Sequence, residues 1–390
     1  MPPVHRPPPQ WALWNLGFRP FYLAAGILAV VAMAVWTAHF AGWLTGFAYL
    51  AHPYWHAHEM IFGYALAVMA GFLFTAVRNW TNLPTPGGAR LAAIIALWIA
   101  ARLLIAASWT WVAAVADTAF VLAVAAGIAF PLIASGNRRN LFFVVVLIAL
   151  GAANLAFHLA MSGHLAVPAR DVLQLALDTV AFIMTVIGGR VIPMFTANAA
   201  PHARPVRNAM VERMAPASML ALLLAEAAGL PAVALAAIAA AGALAHGWRL
   251  ALWRPLATRR VPLLWILHAA YAWLVLYLAL RALQELGAIA PGIAVHALTV
   301  GALGGLTLGM MTRTARGHTG LPLEAGRMET SAYVLINFAA IARVIVPLAA
   351  PALYRGAVIV SGLLWIAAFA AFVVKFAPIL ARPRVDGRPG

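Results

Sequence analysis

The sequence predicts an all-α, polytopic integral membrane bundle of about twelve transmembrane helices, and three observations carry that expectation. The 390 residues are 65% hydrophobic and only 9% charged, whereas a soluble domain carries about a quarter charged residues. Apolar runs of roughly 20 residues, each long enough to cross a bilayer core, recur along the whole chain. Most of the 26 Lys and Arg residues fall on alternate connections, as expected when cytoplasmic loops collect positive charge. The longest non-apolar stretches leave no room for an inserted soluble domain, so 1–390 reads as one transmembrane domain with short tails at 1–20 and 378–390.

The first run, 21–43, follows a Pro-rich stretch and lacks a small-residue cleavage site behind it, so it reads as a retained span rather than a removable leader. Further spans are expected at 54–77, 90–108, 111–134, 140–162 and 170–196, then at 209–229, 231–252, 261–286, 292–315, 329–350 and 354–377. Twelve spans put both termini on one side. That side collects Arg6, Arg19, Arg78, Arg90, Arg138, Arg139, Arg204, Arg207, Arg213, Arg249, Arg254, Arg259, Arg260, Arg313, Arg316, Arg327, Lys375, Arg382, Arg384 and Arg388, which is 20 of the 26 basic residues. Arg102, Arg170, Arg281 and Arg355 lie near the opposite ends, and Arg190 and Arg343 lie within spans. The net charge of +16 is thus a matter of topology, and nucleic acid is not an expected partner.

Cysteine is absent, which excludes thiolate nucleophiles, iron–sulfur clusters and thiolate copper sites. Histidine is gathered instead. His39, His52, His56, His58, His158, His164 and His296 all fall toward the non-cytoplasmic ends of their spans, whereas His5, His202, His246, His268 and His318 do not. One interfacial histidine is usually an anchor or a helix-to-helix hydrogen bond, but seven at one depth without cysteine suit haem iron, copper or zinc.

In Trp55-His56-Ala57-His58-Glu59-Met60 the two imidazoles sit two residues apart, about 200° around a helix, so they are expected to serve different centres. Glu59, three residues after His56, is expected to fix the His56 tautomer. Asn154, His158 and Met161 share a face of the fifth span and offer an amide, an imidazole and a thioether to copper. His58, Gly63, Gly71 and Arg78 have the same spacing as His296, Gly301, Gly309 and Arg316. That shared skeleton makes His58 and His296 the expected pair for bis-histidine haem b, with Arg102, Arg281 and Arg343 as propionate partners; His56 and His158 are left for copper. Asp117 and Asp178 lie within spans, where a carboxylate is costly unless paired, and Arg343 is a conceivable partner for Asp178.

On Gly17-Phe18-Arg19-Pro20-Phe21, Trp55 to Met60, Gly71-Phe72 with Asn79-Trp80-Thr81, Gly188 to Thr196, His296 to Thr299, Thr312-Arg313 and Gly317-His318-Thr319-Gly320, the chain resembles the NnrS family over nearly its whole length. The resemblance implies a haem- and copper-containing protein of the bacterial inner membrane that helps cells cope with nitric oxide. It implies His56, His58, His158 and His296 as ligands and marks Arg190, Arg313 and His318 as motif residues; Glu59, Asn154, Arg190 and Arg313 are the expected supporting residues around the ligands. Nitric oxide or another small diatomic molecule, the lipid bilayer and an electron donor are the expected partners. Two other classes fit a twelve-span chain. A transporter is expected to carry broken helices and polar residues at the midplane, whereas the polar cluster here is at one face; a sensor or metal-handling protein without turnover differs from an enzyme in nothing the sequence displays.

Overall fold

The computed structural model describes residues 11–45, 53–108 and 110–388, apart from the Thr110 side chain. His5 and His52 lie outside the described residues. Twelve long helices follow one another, one for each expected span: α1 (Phe18–Ala41), α2 (Pro53–Thr81), α3 (Gly88–Ala106), α4 (Thr110–Ala134), α5 (Phe142–Met161), α6 (Ala169–Ala199), α7 (Ala209–Ala227), α8 (Ala232–Leu252), α9 (Pro262–Glu285), α10 (Ile293–His318), α11 (Arg327–Ala349) and α12 (Tyr354–Ala381). No strand occurs among the described residues.

Eleven of these helices are long and apolar enough to cross a membrane. The remaining one, α7, carries Glu212, Arg213 and Glu226 within its 19 residues. Neighbours offset both carboxylates: Arg249 of α8 lies 2.5 Å from Glu212, and Arg281 of α9 lies 2.5 Å from Glu226. Asn208 starts α7 by accepting from the backbone N–H of Met210 and Val211 at 3.0 and 3.2 Å, which satisfies donors a helix start otherwise leaves open.

α2 packs on α1, α3 and α4, and α10 packs in the same way on α9, α11 and α12. The shared skeleton of α2 and α10 also has a conformational counterpart. Each helix becomes π-helical directly after its histidine, over Glu59–Ala65 in α2 and Ala297–Gly304 in α10, and a third π segment, Ile341–Ile345, holds Arg343 in α11. A π turn carries one residue more than an α turn and leaves carbonyls without their usual partner; such turns concentrate at functional sites. In α2 the π segment is also held from outside, because Gly63 O accepts from Trp98 Nε1 of α3 at 3.0 Å.

Helices α5 to α8 bridge the two similar sets, and α1 packs on α10 and α12 to close the bundle. At that closure Arg19 is fully buried, and its Nη1 donates to the carbonyls of Leu380 and Arg382 at 2.8 and 2.7 Å, capping the end of α12.

Candidate metal centre and a second histidine cluster

The start of α2 is flanked by two histidine clusters, and the helical geometry of His56 and His58 sends one imidazole to each. His58 is 1% exposed, and both of its ring nitrogens are engaged: Nδ1 lies 3.0 Å from Glu59 Oε1, and Nε2 lies 2.9 Å from Asn154 Oδ1 of α5. Asp117 of α4 approaches the same Nε2, with Oδ2 at 3.2 Å, and reaches His158 Nε2 of α5 at 3.5 Å. His158 and Asp117 are both buried. Asp117 Oδ2 and His158 Nε2 are each buried and complete no hydrogen bond of good geometry. One ligand atom each from His58, Asp117 and His158 therefore lies within 4.8 Å of the other two.

Charge at this cluster is balanced by Arg102 of α3. Its Nη2 forms an ion pair with Asp117 Oδ1, and its Nη1 stands 3.4 Å from Glu59 Oε2. The guanidinium lies against Gly63, where an added Cβ would come within 2.6 Å of Nη1, so this glycine makes the close approach possible. Phe62 and Phe157 enclose the His58 ring at centroid distances of 5.1 and 4.9 Å. The result is a dry, walled group of two imidazoles, two carboxylates, one amide and one guanidinium.

The second cluster gathers around His296 and Arg343, on the start of α10 and the π segment of α11, which pack together, with His56 of α2 within electrostatic range of both. Trp36 of α1 stacks on His56 with centroids 4.8 Å apart and planes 12° from parallel. His56 Nδ1 is buried and has no hydrogen-bond partner. His296 Nδ1 donates to Gly292 O at 2.5 Å, which fixes the tautomer and leaves the Nε2 lone pair available. Arg343 lies over the Tyr354 ring at 5.4 Å and makes no ion pair among the described residues.

The four histidines are thus paired differently from the expectation: His58 with His158, and His56 with His296. The shared skeleton of α2 and α10 reflects similar helices with similar neighbours, and His58 is held by Asp117 of α4 and Asn154 of α5 rather than by its counterpart on α10. Glu59 serves His58 and not His56. Arg102 is held by Asp117 and Glu59, and Arg281 by Glu226 and Glu285, so of the three arginines expected beside propionates only Arg343 is near histidines without a carboxylate partner. Asp178 meets Tyr277 and Gln174 at 2.9 and 3.1 Å instead of Arg343. Met161 is 38% exposed and stands apart from the cluster.

Arg190 and Arg313 are also remote from the histidines. Arg313 follows His296 by 17 residues, roughly 25 Å along a helix, and lies over the Phe195 ring at 3.9 Å. Arg190 donates to Asn140 Oδ1 at 2.8 Å beside Phe142 and Phe143. His39 ends α1 with a buried Nε2 that has no partner, and His164 bonds to Ser162 at 3.0 Å.

Fold and site together define a polytopic α-helical membrane protein with a buried set of metal-ligand side chains near the ends of its spans. The family model described as "NnrS protein" matches residues 12–384. The chain belongs to the NnrS family. No curated protein matches it.

Proposed function

We propose that the chain is a metal- and haem-bearing membrane protein of the nitric oxide response, binding nitric oxide or a related diatomic molecule at a centre built on His58, His158 and Asp117. The observation that carries the reading is the convergence of these three ligand atoms within 4.8 Å, two of them without a hydrogen-bond partner. Two imidazole nitrogens with a carboxylate and an amide oxygen suit a first-row transition metal, and the family resemblance selects copper among them. Glu59 on the far nitrogen of His58 supplies the carboxylate–histidine–metal arrangement that orients a ligating ring. With His58, His158 and Asp117 as the ligands and Asn154 beside them, a position would be left for an incoming small molecule.

The second cluster suits haem b. His296 keeps Nε2 available, His56 carries a nitrogen without a partner, and Arg343, which makes no ion pair among the described residues, offers a guanidinium to a propionate. When bound, the two groups would supply electrons and open coordination positions. The residues of this chain would position them: Gly292 O orients His296, Trp36 fixes the plane of His56, and Arg102 offsets the carboxylates of Asp117 and Glu59. In this reading the protein resides in the inner membrane with cytoplasmic termini, and an electron donor reaches it from the histidine side.

Metal analysis and optical spectra of the purified protein test the proposal. The expected result is copper together with a b-type haem spectrum that changes when nitric oxide meets the reduced protein. Stoichiometric zinc with no Soret band overturns it.

A further inference from the structure

A cavity of about 70 Å³ lies between α1, α2, α6 and α10. On one side it is walled by Ala65, Val68 and Phe72 of α2, and on the other by Leu303, Leu306 and Met310 of α10. These are equivalent positions in the two helices. Ala65 follows His58 by the same seven residues that separate Leu303 from His296, and the other two pairs keep that match. The cavity therefore begins where both π segments end, roughly 10 Å along each helix from its histidine. Helix α6 lines a further side with apolar side chains such as Ile183 and Met184.

The lining is unsuited to water, which needs two to four polar partners in a buried site. Two hydroxyl residues line it: the Thr307 hydroxyl already meets Tyr64 OH at 2.5 Å and Leu303 O at 2.6 Å, and the buried Tyr22 hydroxyl, which has no hydrogen-bond partner, is a single polar group where a buried water needs two or more. Apolar cavities of this kind stay dry and accept apolar guests such as xenon. The volume admits a small apolar guest. A small uncharged gas dissolves in the lipid around the helices and so has access from the bilayer.

We propose that this cavity is a docking chamber for a small uncharged gas molecule, shared by the two histidine clusters. The inference rests on the proposed function for the identity of the gas, nitric oxide, but not for the existence of the chamber. Its equal register on α2 and α10 gives both clusters the same reservoir, which raises the local concentration of a guest beside either centre.

Xenon is the probe, because it is apolar, similar in size and indifferent to metals. In purified protein in nanodiscs, the expected result is a saturable xenon-129 shift that is lost in Val68→Phe and in Leu306→Phe, two variants that fill the cavity from opposite helices. Both are scored only where helicity and elution match the parent. A xenon-pressurised structure of the unmodified protein checks the site without any variant, and density between Val68 and Leu306 is expected. Association of nitric oxide with the reduced protein is expected to slow severalfold in the filled variants while the spectrum of the complex is unchanged. An unsaturable shift, a shift unaltered by filling, or an acyl chain found in the cavity overturns the chamber. Xenon binding with no spectral response to nitric oxide overturns the functional reading and leaves the chamber standing, so the two failures are distinct.

Discussion

Replacing Arg102 by methionine removes the guanidinium that faces both carboxylates of the His58 cluster. Arg102 is 9% exposed, Asp117 is fully buried and Glu59 is 2% exposed, so water screens none of them effectively. Two unit charges 4 Å apart interact by about 4 kcal/mol at an effective dielectric of about 20, and truncating one member of a buried pair costs about 3–5 kcal/mol. Arg102→Met strands two carboxylates and is expected to cost the full amount. Asp117→Asn keeps the shape and leaves Arg102 beside Glu59 at 3.4 Å, so about half that cost is expected. The double variant removes both partners of the pair, and its cost is expected to fall below the sum of the single costs by about 2–3 kcal/mol. Equilibrium unfolding of the chelator-treated protein in mixed micelles reads all three values. A coupling below about 0.5 kcal/mol, the scatter expected of independent sites, would refute the charge arrangement described for this site.

His58→Ala and His158→Ala are each expected to abolish metal at the first centre and leave the optical signal of the second, whereas His56→Ala and His296→Ala are expected to do the reverse; loss of one and the same group in all four variants would contradict two separate clusters. Gly63→Ala places a Cβ 2.6 Å from Arg102 Nη1 and 2.7 Å from Leu28 Cδ2, so a destabilisation of about 1–3 kcal/mol is expected, together with a metal affinity lowered by about 10–100-fold, as read by competitive chelation. Arg19→Met removes the cap on Leu380 and Arg382, and faster proteolysis of the C-terminal tail at a cost of about 1–3 kcal/mol is expected. A reporter fused at Gly390 is expected to be active only in the cytoplasmic form, and activity only on the outer side would invert the topology.

The spans were legible because nearly every apolar run is separated from the next by Pro, Gly or Arg, the short connection at 107–109 between α3 and α4 being an exception, and this one-dimensional signal survives without any knowledge of neighbours. His58 and His158 were legible as a class for the same reason, since depth follows from position along a span. Their partnership was not. Asp117 lies 59 residues from His58 and Arg102 lies 44, and nothing local shows that α3 and α4 fold back onto the start of α2. The intramembrane position of Asp117 did mark it as costly, and that cost is met by Arg102. The angle between His56 and His58 pointed to two clusters, but which histidine waits on each side depends on the packing of α5 and α10. The π segments left no advance signal, because each spreads an extra residue over a turn whose composition is ordinary for an apolar helix.

Helix α7 has a consequence for how the chain is made. Its two glutamates find their arginines on α8 and α9, segments that leave the ribosome after α7 has passed the translocon. Segment insertion is favoured by apolar side chains and opposed by charged ones, so α7 is expected to wait at the bilayer edge until Arg249 and then Arg281 arrive. The three helices would then enter as a hairpin-plus-one unit rather than singly. A ribosome stalled after α7 should therefore leave a cysteine engineered into that helix open to a water-soluble thiol reagent, and one stalled after α9 should not.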